Sequence, residues 1–81
     1  MTSLFQVADG ILDASEYVEE NLSSVDSVQL YAEYCGIKIT DKEASLIITV
    51  CRAWLEGTAS GNLNGTNDFY HTVQAPLFNE E

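Results

Sequence analysis

Basic residues are what this sequence has least of. Three lysines and arginines stand against 13 aspartates and glutamates, giving a formal charge of −10 over 81 residues. Proteins hold nucleic acid by neutralising its phosphates with Lys and Arg, and anionic membranes repel an acidic chain, so direct binding to either is not expected. Histidine is scarce as well. His71, Cys35 and Cys51 fall short of the four ligands of a structural zinc site, and nothing ties His71 to a thiol or hydroxyl as its base. No Gly-rich phosphate loop precedes a helix. Residues 62–68 have the composition of a calcium loop but lack its leading aspartate, and Val73 stands where the closing glutamate belongs. Acid–base chemistry needs carboxylates in a cleft, whereas most acids here fall on outer helix faces. No cofactor, metal or enzymatic activity is expected.

Long apolar runs are also missing. None approaches the roughly 18 residues that span a bilayer. The first six residues have neither the basic flank nor the apolar core of a signal peptide, so a cytoplasmic protein is the expectation. In that compartment thiols stay reduced, and Cys35 and Cys51 read as small buried hydrophobes, not as a disulfide.

What remains is helix. The hydrophobic fraction of 46% suits an ordinary globular domain, and a chain this short makes one domain, residues 1–81. The fold class is all-α: a small bundle of three main helices at about 4–21, 24–35 and 41–56, with a Gly/Asn-rich loop at 58–68 and a short C-terminal helix. Ser3 and Gln6 match a capping box for the first helix, in which Leu4, Val7, Ala8, Ile11, Val18 and Leu22 recur at helical spacing. Gly10 inside it is read as a close approach by a neighbouring helix. Ser23 or Ser24 caps the second helix, which places Val25, Val28, Tyr31, Ala32 and Cys35 on one side and ends at Gly36. Thr40 and Glu43 make the clearest capping box, opening a third helix that Gly57 closes. Asp68 is read as the cap of a last helix, 69–74, that stops before Pro76, with 77–81 either packing back or fraying.

The charge is unevenly placed. Residues 1–37 hold Asp9, Asp13, Glu16, Glu19, Glu20, Asp26 and Glu33 and no cation, whereas 38–57 balance Lys38, Lys42 and Arg52 against three acids. On a continuous first helix, Asp9, Asp13, Glu16 and Glu20 form one stripe opposite the apolar positions. Such a row resembles backbone phosphates in charge and pitch, because carboxylates accept the same charge-assisted hydrogen bonds from Lys and Arg. The plain alternative is that the acids only keep a small protein soluble.

The expected function is a non-enzymatic inhibitor or regulator that presents this acidic face to a basic, nucleic-acid-binding protein. In size and charge the chain resembles the small acidic proteins, anti-CRISPR proteins among them, with which phages block host defence or transcription. That resemblance implies nucleic-acid mimicry in a host cytoplasm. The alternative is a helical dimerisation or scaffold module, since the third helix is apolar nearly all round, with Ile47, Trp54 and Leu55 as the interface of a homodimer. A third expectation places an aromatic hot spot at Phe69, Tyr70 and Phe78, which serve equally well to close the core.

Overall fold

A computed structural model describes residues 4–78, and every regular element among them is helical. In chain order these are α1 (Leu4–Asp13), a 3₁₀ turn (Ser15–Tyr17), α2 (Val18–Asn21), α3 (Val25–Tyr34), α4 (Asp41–Ser60), α5 (Gly65–Phe69), a π-turn (Tyr70–Gln74) and α6 (Ala75–Phe78). The all-α bundle expected from the sequence is therefore present. The Ser3 capping box and residues 79–81 lie outside the described residues.

Helix α4 is the axis of the fold, with α1, α3, the π-turn and α6 packed against it. That accounts for its apolar circumference. Ala44, Ile47, Val50 and Cys51 are buried, and Leu46, Ile48, Trp54 and Leu55 pack partly buried around them. The other helices supply Val7, Ile11, Leu22, Val28, Val73 and Leu77 to the same core. Burying side chains of this size stabilises by about 1.5–3 kcal/mol each.

The helix starts follow local chemistry. Thr40 accepts from the Glu43 backbone N–H at 3.1 Å, and Glu43 accepts from the Thr40 N–H at 2.8 Å, which completes the capping box. Ser24 accepts from the Ser27 N–H at 3.1 Å and caps α3. At the end of α3, Gly36 donates to Glu33 O and Ile37 to Ala32 O, the paired bonds of a Schellman closure. Gln29 then donates to Ile39 O at 3.2 Å and to Asp41 Oδ1 at 2.8 Å, fastening the connector between α3 and α4.

Four boundaries differ from the sequence expectation. The first helix is not continuous over 4–21. The backbone leaves helical geometry at Ala14 (φ −85°, ψ 61°) and passes through a 3₁₀ turn before α2. In a continuous helix the acids of this segment would repel one another at i, i+3 and i, i+4 spacing; the interruption places Asp13 and Glu16 in different elements, while Asp9 and Asp13 stay one turn apart in α1. At the other end, α4 runs past Gly57 to Ser60. Gly57 is not a terminator but a site of close approach, because the Leu63 side chain sits where a Cβ would project. The helix ends instead at Gly61 (φ 81°), a left-handed conformation that glycine adopts without steric penalty.

The last helix begins at Gly65, not at 69, and Asp68 is not its N-cap. Its Oδ2 reaches back to accept from the Asn64 N–H at 2.9 Å, giving that first-turn donor a partner. Nor does the helix stop before Pro76. Ala75 donates to Tyr70 O, five residues back, and this wider π-turn admits the proline ring that would clash within a regular α-helix. Burial of Val73 and Leu77 on either side outweighs the proline's lost donor.

Candidate functional site

The seven N-terminal acids lie in four different elements, and the break at Ala14 decides how they are grouped. Asp9 and Asp13 share α1, Glu16 is in the 3₁₀ turn, Glu19 and Glu20 are in α2, and Asp26 and Glu33 belong to α3. The single straight stripe drawn through Asp9, Asp13, Glu16 and Glu20 is thus not formed as one helical row. Six of the seven are exposed; Asp9 is half-buried. Burial first, and then the charge of Asp13 one turn away, hold the Asp9 carboxyl above its ordinary 3.8.

Tyr31 is the residue around which the first group gathers. Its ring packs on Gly10, where an added Cβ would lie 2.6 Å from the tyrosine oxygen, so the glycine does mark a close helix approach. Partial burial raises the Tyr31 hydroxyl above its usual range, and the nearby Cys35 thiol, Asp13 and Asp9 push in the same direction. On its other side Tyr31 lines a groove of about 560 Å³ between α2 and α3. Glu19 and Glu20 form the α2 edge of that groove, while Ser27, Leu30, Tyr31 and Tyr34 form the α3 floor. These α3 residues fall at i, i+3, i+4 and i+7, one face of the helix.

The second group is apart from the first. Asp26 and Glu33 are seven residues apart on α3, hence on a common face two turns long. Glu33 lines a separate shallow groove of about 390 Å³ with Gln29, Lys38, Ile39 and Thr40. The structure therefore brings Asp9, Asp13, Glu19 and Glu20 to one neighbourhood and leaves Asp26 and Glu33 on another.

Arg52 of α4 reaches across 33 positions of sequence to Glu19, Nη1 to Oε1 3.2 Å, and this is the ion pair among the described residues. A sequence view of residues 1–37 had no cation to offer these acids. Asp13, Glu16, Glu20, Asp26 and Glu33 have no ion-pair partner among the described residues.

Of the residues expected at a dimer interface, Ile47 is 0% exposed and lies inside this chain's own core. Trp54 and Leu55 are half-buried against the same core. Trp54 meets Phe69 edge-on at 5.0 Å, Phe69 meets Phe5 at 5.9 Å, and Phe5 meets Phe78 at 5.5 Å. The C-terminal aromatics thus close one end of the bundle, though Tyr70 and Phe78 keep part of their rings exposed. His71 is exposed, its ring edge-on to Tyr70 at 5.3 Å. Both cysteines are free. Cys51 is buried as expected, whereas Cys35, just past the last residue of α3, is exposed. Among the described residues, no group of three or more potential ligands is placed to hold a metal, and no helix is long and apolar enough to cross a membrane.

Sequence reasoning missed the groove. Leu30 is 54% exposed and Tyr34 82%, an unusual pairing of large apolar surface with neighbouring acids. The signal is present as the i, i+3, i+4, i+7 spacing of Ser27, Leu30, Tyr31 and Tyr34; Tyr31 packs on the core, as its spacing predicts, and also lines the groove.

Comparison with family models, with curated proteins and with solved structures returns no match.

Proposed function

We propose that this protein is a non-enzymatic inhibitor or regulator that captures a basic partner, of the kind that ordinarily grips nucleic acid, through the acidic surface of α1, the 3₁₀ turn and α2. The observation that carries this reading is the set of exposed carboxylates without a cation partner: Asp13, Glu16 and Glu20, flanked by the half-buried Asp9. Carboxylates held at the surface of a chain of charge −10 attract Lys- and Arg-rich surfaces over distances of about a Debye length, roughly 8–10 Å at physiological salt. Association is then fast and weakens as salt rises. Glu19 contributes less, because Arg52 already neutralises it. Asp26 and Glu33 extend the field from their own face of α3.

The test is affinity capture from cells with the wild-type chain and with a triple variant carrying Asp13→Lys, Glu16→Lys and Glu20→Lys. The expected result is recovery of a basic nucleic-acid-binding protein by the wild type, eluted by moderate salt, and its loss with the variant. Equal recovery by both would sink the reading. All three side chains are exposed, so the variant should fold, which far-UV circular dichroism verifies.

A further inference from the structure

We propose that the groove between α2 and α3 receives an arginine side chain of the partner, its guanidinium paired with Glu20 and laid against Tyr34, and its methylene stem against Leu30. This inference rests on the functional reading above and adds the chemistry of the contact.

The argument begins with what the groove exposes. Its floor carries Leu30 and Tyr34, two of the most exposed large side chains in the molecule, together with part of Tyr31. Its edge carries Glu19 and Glu20. The polar groups at its third side are already occupied with one another. Ser23 Oγ donates to Glu20 O at 2.7 Å, and the Ser27 hydroxyl lies 3.1 Å from those of both Ser23 and Ser24. What the groove offers an incoming ligand is therefore mainly apolar and aromatic surface beside carboxylate oxygens, with the Asn21 side chain and the tyrosine hydroxyls as its remaining polar groups.

A purely apolar occupant would strip water from Glu20 and return nothing to it. An anionic occupant would be repelled. A lysine satisfies the charge, but its compact, strongly hydrated ammonium makes poor use of an aromatic face. Arginine satisfies both parts, because its planar guanidinium pairs with a carboxylate at its edge and stacks on a tyrosine with its face. The protein itself supplies an example at this edge, where Glu19 accepts from the Arg52 guanidinium at 3.2 Å. A second copy of the chain is not the source. Its one arginine is Arg52, and Glu19 holds it.

The experiment uses the full chain and two synthetic peptides of equal charge, one with arginine and one with lysine at every basic position, titrated by isothermal calorimetry. Wild type is compared with Tyr34→Ala, and with the Asp13, Glu16 and Glu20 triple reversal. Tyr34 is so exposed that its truncation leaves the fold intact. The proposal expects the arginine peptide to bind about 2- to 5-fold more tightly than the lysine peptide, the yield of one exposed cation–π contact. Tyr34→Ala should abolish that preference, and backbone amide shifts on binding should centre on residues 30–34. If both peptides bind equally and Tyr34→Ala changes nothing, while the triple reversal abolishes binding, the groove proposal is overturned and the acidic-surface reading stands. If neither peptide binds the wild type, both fall.

Discussion

Replacing Ile47 with alanine separates the two roles that the apolar third helix suggested, core or interface. Ile47 is 0% exposed, in the second turn of α4, with side chains of the surrounding helices in the same core cluster. The substitution removes roughly three methylene-equivalents, which at about 0.8 kcal/mol each come to ~2.4 kcal/mol of lost transfer energy. Incomplete collapse of the cavity adds to this, and buried Ile→Ala changes fall at about 2–5 kcal/mol, so about 3 kcal/mol is expected. For a domain this small, total stability is on the order of 4–12 kcal/mol, so the variant folds but loses a large share of its margin. The melting temperature should drop by about 12–24 °C, at about 4–8 °C per kcal/mol. Urea unfolding followed by far-UV circular dichroism measures the loss directly, at low and at high protein concentration. A core role requires the same loss at both concentrations. A loss below about 1 kcal/mol, or one that shrinks as protein concentration rises, would refute the reasoning and return Ile47 to a subunit interface.

Four further outcomes follow from single residues. Iodoacetamide should modify Cys35 in the folded protein and leave Cys51 untouched, with both reacting in denaturant; modification of Cys51 at a comparable rate would mean that the core opens readily. Burial pushes the Cys51 thiol from 9.0 up to about 12, so its thiolate favours the unfolded chain. Stability should fall as pH rises from 9 towards 12, by up to about 1.4 kcal/mol per unit, and Cys51→Ala should flatten that slope. For Asp9 the carboxyl is raised in the folded state, so its ionised form costs stability at neutral pH and the cost disappears as pH falls below the unfolded value of 3.8. Asp9→Asn should therefore stabilise the protein at pH 7, through relief of the burial penalty on the charge and then of the i, i+4 repulsion with Asp13, the latter worth a few tenths of a kcal/mol, and give no gain in acid. Gly61→Ala should cost about 1–2 kcal/mol, the strain of a left-handed residue bearing a Cβ, whereas a neutral result in thermal melts would show that α4 does not need this closure.

The starts of α3 and α4 and the end of α3 were legible because these caps are made within a few residues of sequence, whereas the start of α5 at Gly65 was not. Thr40 with Glu43, Ser24 with Ser27, and the Gly36 closure are all contacts of that range. The boundaries that were not legible depend on residues the local pattern does not weigh. Gly57 reads as a terminator until Leu63 folds over it, and Pro76 reads as a stop until Val73 and Leu77 are drawn into the core around a π-turn. The candidate site divides in the same way. The identity of the acids was plain from the sequence, but their grouping was not, because it follows from the break at Ala14 and from the turn that sets α2 against α3. The Arg52–Glu19 pair lay beyond reach for the same reason, since it joins residues 33 positions apart.

The break also changes what kind of partner the acidic surface suits. A continuous helix would have carried Asp9, Asp13, Glu16 and Glu20 at a constant pitch, and a basic groove shaped for a phosphate backbone would meet them in register. With the helix interrupted, Asp9 and Asp13 remain neighbours one turn apart, whereas Glu16 and Glu20 belong to separate elements and Glu20 turns towards a concave groove floored by Leu30 and Tyr34. Long-range attraction survives this rearrangement, since it depends on net charge and not on pitch. The close contact does not survive unchanged. Under the proposed function, it favours a partner that offers a protruding basic side chain over one that offers a long concave basic track. Steering by the field and seating by one groove are separable. Salt should act mainly on the association rate, whereas truncation of Tyr34 should act mainly on the dissociation rate.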